Sequence, residues 1–201
     1  MNRYEQRSRD TYNKMAVEYD TSREGVYTRA FKQKLIETVH IRERDKLLDV
    51  ACGNGALLAM LSKTVHFDGY GVDIAENMIC EARKRLPDMR FSVAGCDNLP
   101  FGDGSFNVMT VSAAFHHFPD ASKFAEEAFR TLKPGGVLYI ADVFWPAPLR
   151  VLCNPFLRFA KTGDVKIYAP SEIKTLFEQR GFVCKGLQVQ TPMQIITLEK
   201  T

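Results

Sequence analysis

Short apolar runs alternate with helical stretches through most of this chain. Runs at 47–51, 67–72, 90–94, 106–112 and 137–142 have the length and composition of buried strands. Helical spacing fills the gaps. Residues 55–63 carry Ala56, Leu57, Leu58, Ala59, Met60 and Leu61. Residues 75–86 place Met78, Ile79, Ala82 and Leu86 on one stripe; Arg83, Lys84 and Arg85 suit the negative end of the helix dipole, and Pro87 ends it. A further helix at 124–132 stops at Lys133-Pro134-Gly135-Gly136, whose glycines provide the turn into the fifth strand. Ser171 is the expected cap of a last helix, with Glu172 in its first turn and Gly181 past its end. Two runs, 182–190 and 193–199, close the chain across a gap short enough for an antiparallel hairpin.

Five strands separated by helices require crossovers, so the sheet is expected to be parallel there. The expected fold is α/β: a Rossmann-like, seven-stranded, mostly parallel sheet with helices on both faces and a C-terminal antiparallel hairpin. Residues 1–201 are expected to form one domain. Residues 1–46 read as a charged helical cap in which Tyr12, Met15, Ala16 and Tyr19 share a face, and 146–170 as an insertion between the fifth strand and the last helix.

Composition narrows the function. A net charge of +3 gives no reason to expect a nucleic-acid partner. The N-terminus lacks an apolar signal core, and no apolar run approaches the length needed to span a bilayer, so no membrane partner is expected. Five cysteines, Cys52, Cys80, Cys96, Cys153 and Cys184, are widely spaced without a Cys-x-x-Cys pair; reduced thiols, a cytoplasmic location and no metal are the expectation. The sequence is silent on oligomeric state.

The chemistry concentrates at Leu47-Leu48-Asp49-Val50-Ala51-Cys52-Gly53-Asn54-Gly55. A strand ends in an acid, glycines make a tight turn, and a helix follows. Asp73 closes the second strand. A glycine turn followed by an acid at that distance is the layout of a nucleotide site in a doubly wound sheet. Ligands in such sheets lie beyond the carboxyl ends of the strands, where the 49–55 turn, Asp73, the 95–98 loop and the residues after 112 converge. A nicotinamide fingerprint fails, because Leu58 stands where its third glycine belongs.

Together with Gly71-Val72-Asp73-Ile74-Ala75-Glu76-Asn77-Met78, Asn98-Leu99-Pro100-Phe101 and Leu132-Lys133-Pro134-Gly135-Gly136, this turn resembles class I S-adenosylmethionine-dependent methyltransferases. The resemblance covers roughly 47–142 and is closest to the type 11 branch that includes ubiquinone and menaquinone C-methyltransferases. It implies S-adenosylmethionine as methyl donor and S-adenosylhomocysteine as product. It implies that Ala51, Cys52, Gly53, Asn54 and Gly55 border the methionine part, which Asp49 orients. Asp73 then accepts from both ribose hydroxyls, Ile74 packs on the adenine face, and Met78 is a further cofactor-binding candidate. Gly95 stands where the family's adenine-contacting aspartate is usual. The Cys96 N–H can still meet the ring edge; Asp97 reaches the exocyclic amine only if the loop shifts and is otherwise a solvated loop acid, and Asn98 is a further cofactor-binding candidate. Ala51 replaces the family's first glycine and is expected to need only φ < 0. Asn107 replaces a common acid, and no function is attached to it.

The resemblance places Ser112 and the residues after it against the methyl group. His116 or His117 is then a candidate general base, with a structural role in holding the loop as the other reading. Tyr12 and Tyr19 resemble residues of a segment folding over the cofactor; plain core or surface tyrosines are the alternative. In 146–170, Trp145 at its edge, Phe156, Phe159, Tyr168, Arg150, Arg158, Lys161 and Lys166 suit a cover over an apolar or anionic acceptor, or equally a packed surface segment. The expected reaction is in-line methyl transfer to a small-molecule acceptor. A cofactor-binding regulatory protein without turnover, or a macromolecular acceptor, is the alternative.

Overall fold

Period two along the central strands divides the core between the two faces of one sheet. The computed structural model describes residues 2–157, 159–160 and 162–201. In β1 (Lys46–Val50), Leu47 packs on one face while Leu48 and Val50 pack on the other. The alternation repeats in β4 (Phe106–Ser112) with Val108 against Met109 and Val111, and in β5 (Leu132–Val143) with Tyr139 and Ala141 against Leu138 and Ile140. Strands buried on both faces read as continuous apolar runs for this reason.

Helices α2 (Arg23–Thr38), α3 (Ala56–Leu61) and α4 (Glu76–Arg85) cover the first face through Phe31, Leu35, Leu57, Leu61 and Ile79. Helices α5 (Ala121–Thr131) and α7 (Pro170–Glu178) cover the second through Phe124, Ala128, Ile173 and Phe177. With β2 (Asp68–Asp73), β3 (Arg90–Val93), β6 (Phe182–Gln190) and β7 (Met193–Lys200), the sheet runs β3-β2-β1-β4-β5-β7-β6. All pairings are parallel except those of β7, which is antiparallel to β5 and β6. The expected architecture is therefore the observed one. Strand order reverses between β1 and β4, which puts the switch point beside Asp49.

Several local expectations change. The N-terminal segment is two helices, α1 (Arg3–Met15) and α2, joined through a 3-10 turn at Tyr19–Thr21; residues 39–45 are not helical. Its apolar face holds as expected: Ala16 and Tyr19 are buried against Ala75 and Met78, with Tyr12 and Met15 beside them. Helix α5 starts ahead of residue 124, because the Asp120 carboxylate caps it by accepting the Ser122 and Lys123 N–H groups. Ser171 is not the cap of α7. Pro170 occupies the first helical position, where a fixed φ and a missing N–H cost nothing, and the Glu172 carboxylate accepts the Ala169 N–H at 2.6 Å.

The 133–136 turn lies inside β5. Leu132 pairs with Phe106 and Val137 with Val108, so four residues bulge out opposite Asn107 alone. The Asn107 carboxamide oxygen accepts from Lys133 Nζ (2.9 Å) and the Lys46 N–H (3.1 Å), which gives this side chain a structural role. Part of 146–170 is helical, as α6 (Ala147–Leu157), with no buried side chain.

Candidate cofactor cavity

After β1 the backbone enters the left-handed region three times within five residues: Ala51 (φ 55°), Gly53 (54°) and Gly55 (74°). The expectation for Ala51 is thus corrected. An L-residue there costs roughly 1–2 kcal/mol, and the turn is held by the Cys52 N–H on Val72 O (3.0 Å) and the Gly55 N–H on Cys52 O (3.1 Å). The two glycines serve different ends. A Cβ on Gly53 meets nothing nearer than Met78 Sδ at 4.0 Å, so that position borders open space. A Cβ on Gly55 stands 3.3 Å from Ala82 Cβ, so Gly55 lets α3 approach α4.

Asp73 ties this turn to the next. Its Oδ2 accepts the Gly53 N–H and its Oδ1 the Ala75 N–H, each at 2.8 Å. Burial pushes its pKa up, against the pull of those N–H groups. Each oxygen keeps a lone pair for a further donor.

The cavity beyond these turns is walled by Ala51–Asn54 backbone and side chains, Asp49, Asp73, Ile74, Met78, Gly95, Cys96, Ser112 and His117, and is closed by Tyr12 and Tyr19. The loops after β1, β2, β3 and β4 therefore meet as expected. Gly55, Asp97, Asn98 and His116 stand off this wall. Asp97 folds back so that its Oδ1 lies 2.9 Å from where a Cβ of Gly95 belongs.

Glu5, Ser8, Lys32 and Phe118 also line the cavity, and sequence reading missed them. Lys32 carried a usable signal: it shares the buried stripe of α2 with Thr28, Phe31 and Leu35. It is 9% exposed; burial lowers its pKa to about 8, and Nζ donates to Thr28 Oγ1 (2.9 Å), which is bonded to Tyr19 Oη (3.1 Å). Asp49 is 2% exposed; burial raises its pKa to about 7, against a 2.7 Å bond from Thr110 Oγ1 and the charge of Lys32. One wall thus holds a buried carboxyl and a buried amine. Asn54 works differently. Its amide donates to Asp20 (2.9 Å) and its carbonyl oxygen accepts from Arg85 (2.9 Å), pinning the N-terminal segment to α4.

At the opposite end, His117 Nε2 is 3.1 Å from Tyr12 Oη and its Nδ1 is 3.0 Å from Asp164 Oδ1. The His116 Nδ1 is 2.7 Å from Oδ1 of fully buried Asp142, and the two imidazoles lie 4.0 Å apart. Burial disfavours charge on both rings. The Asp142 carboxylate outweighs it for His116, whose pKa is raised; burial and His116 lower that of His117. Burial also opposes ionisation of Asp164, but the histidines and Thr162 hold it down at about 2.

Of the 146–170 segment, Arg158 and Lys161 lie outside the described residues. Phe156 and Phe159 face solvent, Tyr168 packs on Phe115, Arg150 bonds Trp145 O and Lys166 pairs with Glu172. None of these walls the cavity.

The cavity suits S-adenosylmethionine on its own evidence. Ser112 Oγ is buried in its wall without a hydrogen-bond partner, Gly53 leaves the space of a side chain open, and Asp73, Asp49 and Lys32 line it with groups complementary to hydroxyls, an ammonium and a carboxylate. No described helix is long and apolar enough to cross a membrane.

Comparison with known proteins agrees. Residues 48–140 match the type 11 methyltransferase domain model. The chain is 31% identical over 174 residues to the demethylmenaquinone methyltransferase of Thermotoga maritima, covering 76% of each chain. It is 30% identical over 148 residues to that of Desulfitobacterium hafniense, covering 68% of this chain and 58% of the relative. Against several other curated relatives it spans under half their length. In fold it is similar, with a TM-score of 0.82, 20% identity and 96% of each chain covered, to the methyltransferase that forms a complex with the Trm112 methyltransferase activator of Haloferax volcanii. With its sheet order, its glycine turn and these relatives taken together, the chain belongs to the S-adenosylmethionine-dependent methyltransferases of the type 11 family.

Proposed function

We propose that this chain transfers the methyl group of S-adenosylmethionine to a small-molecule acceptor by in-line displacement. The observation that carries the reading is the convergence of four strand-end loops on one cavity closed by the N-terminal helices. When bound, the cofactor supplies a methyl carbon already activated by a positive sulfonium. The protein then has to hold, align and keep out water.

Asp73 binds the ribose hydroxyls through its remaining lone pairs. Ile74 and Met78 provide apolar contact for adenine, and the Cys96 N–H meets its edge. The Ala51–Asn54 backbone borders the methionine part, whose ammonium faces Asp49 and whose carboxylate faces Lys32. Tyr12 and Tyr19 exclude water from above. The acceptor occupies the end walled by Ser112, His117 and Phe118. Of the two histidines read as base candidates, His117 is the one on the wall, with His116 and Asp142 behind it.

Calorimetry tests the cofactor: S-adenosylmethionine and S-adenosylhomocysteine bind and NAD does not, while tight NAD binding overturns the reading. A metabolite panel scored by release of S-adenosylhomocysteine tests the acceptor class. A second reading, turnover only with an activator protein, draws on the likeness in fold to the Haloferax protein. Cofactor binding without turnover on any small acceptor favours it.

A further inference from the structure

The corner formed by His116, His117 and Asp164 holds two imidazoles and a carboxylate whose ligating atoms all lie within 4.8 Å of one another. Hydrogen bonding shows which ring nitrogens are left to ligate. Asp142 engages His116 Nδ1 at 2.7 Å, which leaves Nε2 to ligate. Tyr12 engages His117 Nε2 at 3.1 Å, which leaves Nδ1. A carboxylate or hydroxyl on the far nitrogen is the usual way in which a metal-binding histidine is oriented.

His117 Nδ1 is buried and faces the Asp164 carboxylate. Asp164 Oδ1 lies 3.0 Å from it. Two ligands about 2.1 Å from a shared ion sit at such a separation, and they span at most about 4.2 Å. The charges acting on both rings include those of Asp142 and Asp164, with Glu24 adding to the field at His116. The nearby Lys166 is turned away, with Nζ 2.7 Å from Glu172.

We propose that His116, His117 and Asp164 bind a divalent transition-metal cation behind the His117 wall of the cavity. Two imidazoles and one carboxylate suit Zn²⁺, Co²⁺ or Fe²⁺ and leave coordination positions open. The use of the ion in methyl transfer rests on the proposed function; its binding does not.

The test is titration of chelator-stripped, reduced full-length protein with Co²⁺, followed by visible absorption and calorimetry. One equivalent binds, without a sulfur charge-transfer band. Affinity falls about tenfold or more in Asp164→Asn and in His116→Ala, and is unchanged in the His40→Ala/His66→Ala double variant. Asp164→Asn is close to isosteric, and its binding of S-adenosylhomocysteine reports that the fold is intact. Equal Co²⁺ affinity in wild type and Asp164→Asn, a thiolate band, or no saturable binding overturns the site. Loss of the site with S-adenosylhomocysteine binding intact leaves the methyl-transfer reading standing. Co²⁺ binding without any binding of S-adenosylhomocysteine overturns that reading instead.

Discussion

Tyr12 Oη lies 3.1 Å from His117 Nε2, joining the N-terminal helix to the loop after β4 across 105 positions of sequence. The same ring packs edge-on against His117 and Tyr19. The bond closes the cavity over its ligand, so Tyr12→Phe removes a latch without removing the packing. A hydrogen bond of this kind contributes about 0.5–1.5 kcal/mol. Affinity for S-adenosylhomocysteine by calorimetry is expected to fall about threefold to tenfold, with little change in Tm.

Asp73 holds the turn and, in the proposed function, the ribose. Asp73→Ala orphans the Gly53 and Ala75 N–H groups and removes the ribose acceptor. Cofactor affinity is expected to drop at least about tenfold, with a lower Tm. Asp73→Asn keeps one acceptor oxygen and separates the two roles. Unchanged affinity in both variants moves the ribose contact elsewhere.

The contrasting glycines give a paired test. Gly53→Ala adds a methyl group to open cavity space at φ 54°, so it impairs cofactor binding by more than its fold cost of about 1 kcal/mol. Gly55→Ala meets Ala82 at φ 74° and acts chiefly on Tm. Equal effects on binding for both variants contradict the assignment.

Stability of the ligand-free protein carries a pH signature of the buried pair. The folded-state pKa of Asp49 is raised from 3.8 to about 7, so its contribution is present below 3.8 and lost as pH rises through about 7. Lys32 runs the other way: lowered from 10.5 to about 8, it contributes above 10.5 and loses that as pH falls through about 8. Asp49→Asn is therefore expected to melt higher than wild type at pH 8, with the difference shrinking towards pH 4. At about 2–4 °C per kcal/mol, the effect is several degrees. Parallel Tm curves for the two proteins sink the assignment.

Phe177 is fully buried, with ring centroids 6.0 Å from Phe115 and Phe124 and 5.4 Å from Phe182. Phe177→Ala is expected to cost about 3–5 kcal/mol in chemical denaturation. Because the residue does not line the cavity, cofactor affinity below the melting range is expected to change less than in the cavity variants.

The sheet and the glycine turn were legible in the sequence because their signals are local. Leu47, Leu48 and Val50 are apolar on both faces of a strand, and Gly53 and Gly55 mark a turn that few other residues form. Where a competing local device acts, the reading slipped. Asp120 captured the start of α5, and Pro170 displaced Ser171 as the start of α7. Ala51 is held in a left-handed conformation by the hydrogen bonds of the turn, against its own preference.

The sequence by itself determined the α/β order, the strand-end acids Asp49 and Asp73, and the family motifs around them, since strand period and turn chemistry are properties of neighbouring residues. Only the tertiary structure decided that Lys32 faces the cavity with Asp49, that His117 and not His116 reaches the wall, and that Asp164 completes their corner. Those relationships join residues far apart in the chain. They depend on how α1, α2 and the segment before α7 close over the sheet, and no local period encodes that.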